Sequence, residues 1–345
     1  MDKSGFTYPV NATKIFAVAP MMDWTDRHCR YFHRQLTKHA LLYTEMVVAD
    51  ALIYGDVARH LDFSETEHPL ALQLGGSDPD KLMQAAKLAE QWGYDEVNLN
   101  VGCPSDRVQS GTFGACLMRQ PELVAECVHQ ISKAVRIPVT VKCRIGVDEQ
   151  EPQQALYELA AGVFDAGCKA LWVHARKAWL QGLSPKENRD IPPLDYDIVH
   201  QLKNKYVDRF IGINGGVKSV DQAAEFVSSG LNSPLDGVMV GRAAYQNPSI
   251  LSHVDREFYG DNSDPVVLDD VCQNMMDYTA RHLEQGGRVH HVTRHMIGLF
   301  QGQAGARRYR QILSVEAAKP QADQNIVQQA FDSVQKYAEM TELAS

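Results

Sequence analysis

The chain lacks the marks of a secreted, membrane-bound or disulfide-built protein. Its seven cysteines (29, 103, 116, 127, 143, 168 and 272) are odd in number and include no Cys-x-x-Cys pair, which argues against a disulfide framework and against a zinc ribbon. No run approaches the roughly 18 apolar residues of a membrane helix, and Met1-Asp2-Lys3-Ser4-Gly5 carries no apolar signal region. A cytoplasmic protein with no membrane partner and no metal is therefore expected. Asn11-Ala12-Thr13 matches the glycosylation pattern, but that reading needs secretion and is taken as chance. No Gly-x-Gly-x-x-Gly follows the first strand and no Gly-x4-Gly-Lys-Ser/Thr loop occurs, which removes a Rossmann dinucleotide site and a P-loop. Positive charge is short as well. Lys plus Arg number 34 against 43 Asp plus Glu, a net charge of -9, so any nucleic acid must meet a local basic patch rather than the overall field.

What is present fits a folded protein: 44% hydrophobic and 22% charged residues exclude a disordered chain. Short β-rich runs occur near 14–19, 41–46, 70–74, 95–101, 138–143, 170–174, 209–213 and 236–240. Helix-start signals lie between them, at Ser77-Asp78-Pro79, at Gln120-Pro121-Glu122 and, as a capping box, at Ser219-Val220-Asp221-Gln222. Strands alternating with helices predict a parallel sheet, and eight units in about 260 residues predict a closed (β/α)8 TIM barrel over residues 1–260. Gly260-Asp261-Asn262-Ser263-Asp264-Pro265 reads as a linker. A helical bundle is expected over 261–345, with one apolar stripe at Val267, Val271, Met275, Tyr278 and His282 and another at Val327, Ala330, Phe331, Val334 and Ala338. These stripes read as core packing.

A (β/α)8 barrel keeps its chemistry at the carboxyl ends of its strands. The polar or special residues that close the strands are Pro20 and Met21, Gln73, Asn98 and Asn100, Lys142 and Arg144, His174 and Arg176, Asn214-Gly215-Gly216, and Gly241-Arg242. Each has a bland alternative: Gln73 could bond backbone, His174 could be a satisfied core imidazole and Lys142 could reach solvent. Together on one face they are hard to assign to packing, because a buried cation is costly without a partner. At the end of the fourth β-rich run, Asn98-Leu99-Asn100-Val101-Gly102-Cys103-Pro104-Ser105 delivers two amides and a thiol onto a glycine-proline turn.

Glycines and an arginine after strands seven and eight suit a phosphate. Flavin mononucleotide fits the set, with its phosphate there, an edge that Gln73 can read and a reduced ring whose charge Lys142 offsets. A sugar-phosphate aldolase using Lys142 as its Schiff base is the competing reading from the residues.

The motifs APMMDWTDRHCRYF (19–32), YTEMV (43–47), ALQLGGSDP (71–79), YDEVNLNVGCPSDRVQSGTFGACLM (94–118), VTVKCRIG (139–146), VHARKAWLQGLSPKENRDIPPLDY (173–196), INGGVKS (213–219) and DGVMVGRAAYQNP (236–248) carry a resemblance. Over nearly its whole length the chain resembles the tRNA-dihydrouridine synthases, of the subtype acting at positions 20 and 20a. No departure is visible at the positions that family uses. The resemblance implies an FMN enzyme that uses NADPH to reduce the C5–C6 bond of D-loop uridines. It implies flavin contacts at Pro20, Met21, Met22, Gln73, Lys142, His174, Asn214, Gly215, Gly216, Gly241 and Arg242, a proton donor in Cys103, and a uracil held by Asn100 and Arg189. An acid role for Cys103 leads to the expectation that no nearby cation strongly depresses its pKa. A free-pyrimidine, dihydroorotate-type flavin oxidoreductase and a non-catalytic tRNA-binding chaperone are the alternatives.

Residues 281–310 hold six arginines (281, 288, 294, 307, 308 and 310) and four histidines against one acid, Glu284. This is the local patch that an acidic chain needs to meet tRNA, although a solvated helix face accounts for many such runs. Arg307 and Arg310, three apart on one helix face, are expected to contact tRNA. The chain is expected to act as a monomer.

Overall fold

Eight short strands bury both of their faces, as parallel strands flanked by helices must. In the computed structural model, which describes residues 14–105, 113–228 and 233–343, these are β1 (Ile15–Val18), β2 (Leu41–Val48), β3 (Leu70–Gly75), β4 (Glu96–Val101), β5 (Val139–Arg144), β6 (Ala170–His174), β7 (Phe210–Asn214) and β8 (Gly237–Val240). They pair in sequence order, all parallel, and β8 closes on β1. The expected (β/α)8 barrel is present. β2 runs on to Val48, beyond the expected end at 46, because a register shift between Tyr43 and Met46 lets it keep pairing with β3.

The period of two along each strand sorts side chains into the barrel or toward the helices. Ile15, Ala17, Leu41, Tyr43, Ala71, Trp172 and Met239 fill the interior. Trp172 occupies so much of it that two strands must yield. A Cβ on Gly212 would lie 2.2 Å from its ring, and one on Gly237 would lie 2.8 Å away. Capping follows the sequence signals. Asp78 accepts from the amides of Asp80 and Lys81 ahead of helix Pro79–Trp92, which Gly93 ends in the left-handed region at φ 92°. Ser219 Oγ accepts from Gln222 N at 3.1 Å, but the Gln222 side chain bonds Lys218 N, one residue before the cap, so the expected reciprocal box is displaced by one.

The chain divides into two compact units, one of residues up to Asp23 together with Ala40–Gly241, and one of Trp24–His39 together with Arg242–Ser345. The turn-rich stretch at 260–265 thus lies inside the second unit. That unit is helical, with Arg27–Arg34, Leu268–Glu284, Ala306–Gln311 and Asn325–Leu343 among its helices. Val271, Met275, Tyr278, Val327, Ala330, Phe331 and Val334 are buried as the stripes required. Val267 is 52% exposed, because it stands at the cap before its helix rather than on the inner face. Ala338 carries no described side chain. Asp26 caps helix Arg27–Arg34 through His28 N and Cys29 N, and also pairs with Arg294 at 2.6 Å and His295 at 3.0 Å.

Candidate active site

β4 reads Glu96-Val97-Asn98-Leu99-Asn100-Val101, so its alternation puts one carboxyl and two amides inside the barrel while the apolar residues face the helices. The register sets Gln73 beside Asn98, Asn100 beside Lys142, Arg144 beside His174, and His174 beside Asn214. Of the residues singled out in the sequence, Gln73, Asn100, Lys142, His174 and Asn214 therefore close consecutive strands at the same end of the barrel.

The amides are bound to one another. Asn100 Nδ2 donates to Gln73 Oε1 at 2.7 Å, Gln73 Nε2 to Asn98 Oδ1 at 2.8 Å, and Asn98 Nδ2 to Thr140 Oγ1 at 2.8 Å. Asn100 Oδ1 accepts from the backbone N–H groups of Gly102 and Cys103 at 3.1 and 2.9 Å. This clamps the turn that carries the thiol. Cys103 is half-buried, and its Sγ lies 3.5 Å from Ser105 Oγ.

Lys142 is half-buried at the end of β5 and has no side-chain hydrogen-bond or ion-pair partner among the described residues. Burial pulls its ammonium down to about 8, and the charge of Arg144 adds to the fall. Arg144 is buried and lowered to about 10, chiefly by burial. It donates to the carbonyls of Gly102, Lys177 and Asn188. Both cations lie within electrostatic reach of the Cys103 thiol.

After β7, Gly215 and Gly216 adopt φ 113° and 75°. A Cβ on Gly216 would lie 2.5 Å from Leu194 Cδ1 and 2.6 Å from the Tyr196 hydroxyl, and one on Gly215 would lie 2.7 Å from His174. Glycine alone suits both this packing and these positive φ values. Asn214 Nδ2 donates to Met239 O at 2.7 Å. Pro20 and Met21 are half-buried past β1, and Met22 is 54% exposed. Gly241 ends the first unit, and Arg242 opens helix Arg242–Gln246 of the second. Arg189 is exposed at the end of the turn Glu187–Arg189.

Two features escaped the sequence reading. Asn188, fully buried, bonds Trp179 N and O, Leu183 O and Ser184 O, and so holds the β6 loop that presents Arg189. Glu96 and Thr140 lie beneath the amides, and the period of two that selected Asn98 and Asn100 would have selected Glu96 as well.

In the helical unit Arg307 and Arg310 are exposed, and like those of Arg281 and Arg288 their guanidinium groups have no hydrogen-bond or ion-pair partner among the described residues. Arg308 pairs with Glu316 at 2.5 Å and Arg294 with Asp26. His39, Asp255 and Asp261 bring potential metal-ligand atoms within 4.8 Å of one another. Their groups are already engaged: Asp255 with Thr37 Oγ1 and Lys38 N, and His39 Nε2 with Asp261. No helix of the described residues is long and apolar enough to cross a membrane.

Polar side chains from consecutive strands, gathered at the carboxyl mouth of a closed parallel sheet, define an enzyme of the (β/α)8 barrel class. The family described as dihydrouridine synthase (Dus) matches residues 17–335. The chain is 54% identical over 335 residues to the tRNA-dihydrouridine(20/20a) synthase of Shewanella oneidensis, covering 97% of this chain and 98% of that protein. It is 55% identical over 323 residues to the protein of that name from Escherichia coli K12, covering 92% and 91%, and 51% identical over 321 residues to that of Vibrio parahaemolyticus, covering 93% and 97%. The chain belongs to the dihydrouridine synthase family.

Proposed function

We propose that the protein reduces the C5–C6 bond of uridines 20 and 20a in the D-loop of tRNA, with FMN as its bound redox group and NADPH as reductant. The observation that carries this reading is Lys142, an unpartnered cation at the strand ends beside an amide, Asn100, that clamps a thiol-bearing turn. A fixed cation there suits a ring that gains negative charge on reduction. Gly215 and Gly216, at φ 113° and 75°, take a backbone conformation that glycine adopts readily, which fits N–H groups turned toward the phosphate end. The charge expected from Arg242 rests on its place next to Gly241 in the chain. Pro20, Met21, Met22, Gln73, His174 and Asn214 complete the flavin contacts.

When bound, FMN would supply hydride to C6 of the uracil. Cys103 gives its proton to C5, Asn100 offers uracil its second Nδ2 hydrogen, and Arg189 holds the base from the β6 loop. The uridine reaches this site by leaving the tRNA stack. In this reading the barrel unit, which ends at Gly241 and not at the expected 260, does the chemistry, and the helical unit orients tRNA through Arg307 and Arg310. We further read the protein as a cytoplasmic monomer.

A lowered lysine pKa is also what Schiff-base chemistry needs. Purified protein that is yellow and bleached by NADPH separates the two readings; a colourless protein refutes the flavin assignment. Cys103→Ala should keep flavin and bind tRNA, yet lose on the order of 10²-fold or more in dihydrouridine formation, measured by mass spectrometry of digested tRNA. Wild-type rates in that variant would remove the thiol from the reaction.

A further inference from the structure

Beneath the mouth of the barrel the hydrogen bonds run in one direction, and donor chemistry leaves no choice about it. Gly102 and Cys103 present backbone N–H groups, which can only donate, so the Asn100 atom facing them is its oxygen. Asn100 must then donate through Nδ2 to Gln73 Oε1, Gln73 through Nε2 to Asn98 Oδ1, and Asn98 through Nδ2 to Thr140 Oγ1. The Thr140 hydroxyl, taking a proton on one side, has its own proton to place, and it places it on Glu96 Oε1. Tyr43 donates its hydroxyl to the same oxygen at 2.5 Å. Glu96, Asn98 and Thr140 are fully buried, and Gln73 and Asn100 nearly so. Water is therefore not available to replace a missing acceptor.

We propose that Glu96 is a positioning residue: as the terminal acceptor of this one-way chain it fixes the orientation of the Asn98, Gln73 and Asn100 amides and thereby anchors the turn that holds Cys103. Without an acceptor at 96, the Thr140 hydroxyl can turn and donate to Asn98. The amides above would then be held in this orientation from the Gly102 and Cys103 end alone, and any reversal would set Asn100's own N–H groups against those amides. Reversal would also exchange the donor and acceptor ends that Gln73 offers to a ligand. Burial pushes the Glu96 carboxyl up to about 8, so at neutral pH it is the neutral acid, whose carbonyl oxygen accepts both hydroxyls. The consequence for catalysis rests on the role proposed above for Cys103; the anchoring itself does not.

The test is made on the flavin-free and the flavin-loaded protein, labelled with ¹⁵N-cysteine, the Cys103 amide being assigned by its loss in Cys103→Ser. Glu96→Gln preserves an acceptor oxygen where the neutral acid has one, and should leave the hydrogen-exchange rate of the Cys103 amide unchanged. Glu96→Leu removes the acceptor, and should speed that exchange roughly tenfold and raise the rate of Cys103 alkylation by iodoacetamide. Thr140→Val cuts the chain between its ends and should reproduce the Leu effect; it carries the test if Glu96→Leu fails to fold. Cys103 exchange unchanged in Thr140→Val, or equally accelerated in Glu96→Gln and Glu96→Leu, overturns the proposal. Because this readout needs neither NADPH nor tRNA, it stands or falls apart from the proposed reaction.

Discussion

Burial moves both Lys142 and Glu96 from their ordinary pKa, the ammonium down and the carboxyl up. Lys142 stays charged below about 8 and loses its charge as pH rises through that value in the flavin-free chain. FMN affinity should therefore fall above pH 8, and Lys142→Ala should bind flavin more weakly at pH 7 with a flatter profile, read by fluorescence titration. Equal profiles would make the lysine structural. For Glu96 the folded value is raised from 4.5 to about 8. The folded chain then keeps a proton that the unfolded chain releases, so this carboxyl's contribution is fully present below pH 4.5 and is lost as pH rises through 8. Urea melts should show the stability gap between Glu96→Gln and wild type widening in favour of Gln across that window. A pH-independent gap would mean that Glu96 is ionised in the fold.

The elements hold the site from behind. The β6 loop is long and irregular, yet Asn188 gathers Trp179, Leu183 and Ser184 around one side chain while its carbonyl accepts from buried Arg144. Asn188→Ala strands these buried groups and should cost about 2–3 kcal/mol, with faster proteolysis between 177 and 190. A loss below about 0.5 kcal/mol, the scale of ordinary surface changes, would mean the loop is held elsewhere. Element by element, the sequence was legible where local rules act. Eight β-rich runs lay within a few residues of β1–β8, and Asp78 and Ser219 capped as expected, because strand period and capping are properties of neighbours in the chain. The displaced partner of Gln222 and the extension of β2 were not legible, since each depends on a register set by another strand or turn.

At the scale of the whole molecule, an acidic chain gathers six of its 34 cations, against one acid, in residues 281–310. Pairing with Asp26 and Glu316 occupies Arg294 and Arg308, leaving the guanidinium groups of Arg281, Arg288, Arg307 and Arg310 exposed without partners among the described residues. Arg307→Ala and Arg310→Ala should each weaken tRNA binding and reduce the slope of log affinity against log salt by roughly 0.7–0.9. Arg308→Ala should change the slope less. Equal slopes in all three variants and the wild type would take this helix out of the interface. What the sequence by itself determined was the barrel, the strand-end residues and the family, because alternation, turn residues and motif spacing are written along the chain. Only the tertiary structure decided which of those side chains bond to one another. The one-way path from Cys103 to Glu96 and the isolation of Lys142 exist because closing the sheet brings β2, β3, β4 and β5 side by side, at separations that no local pattern records.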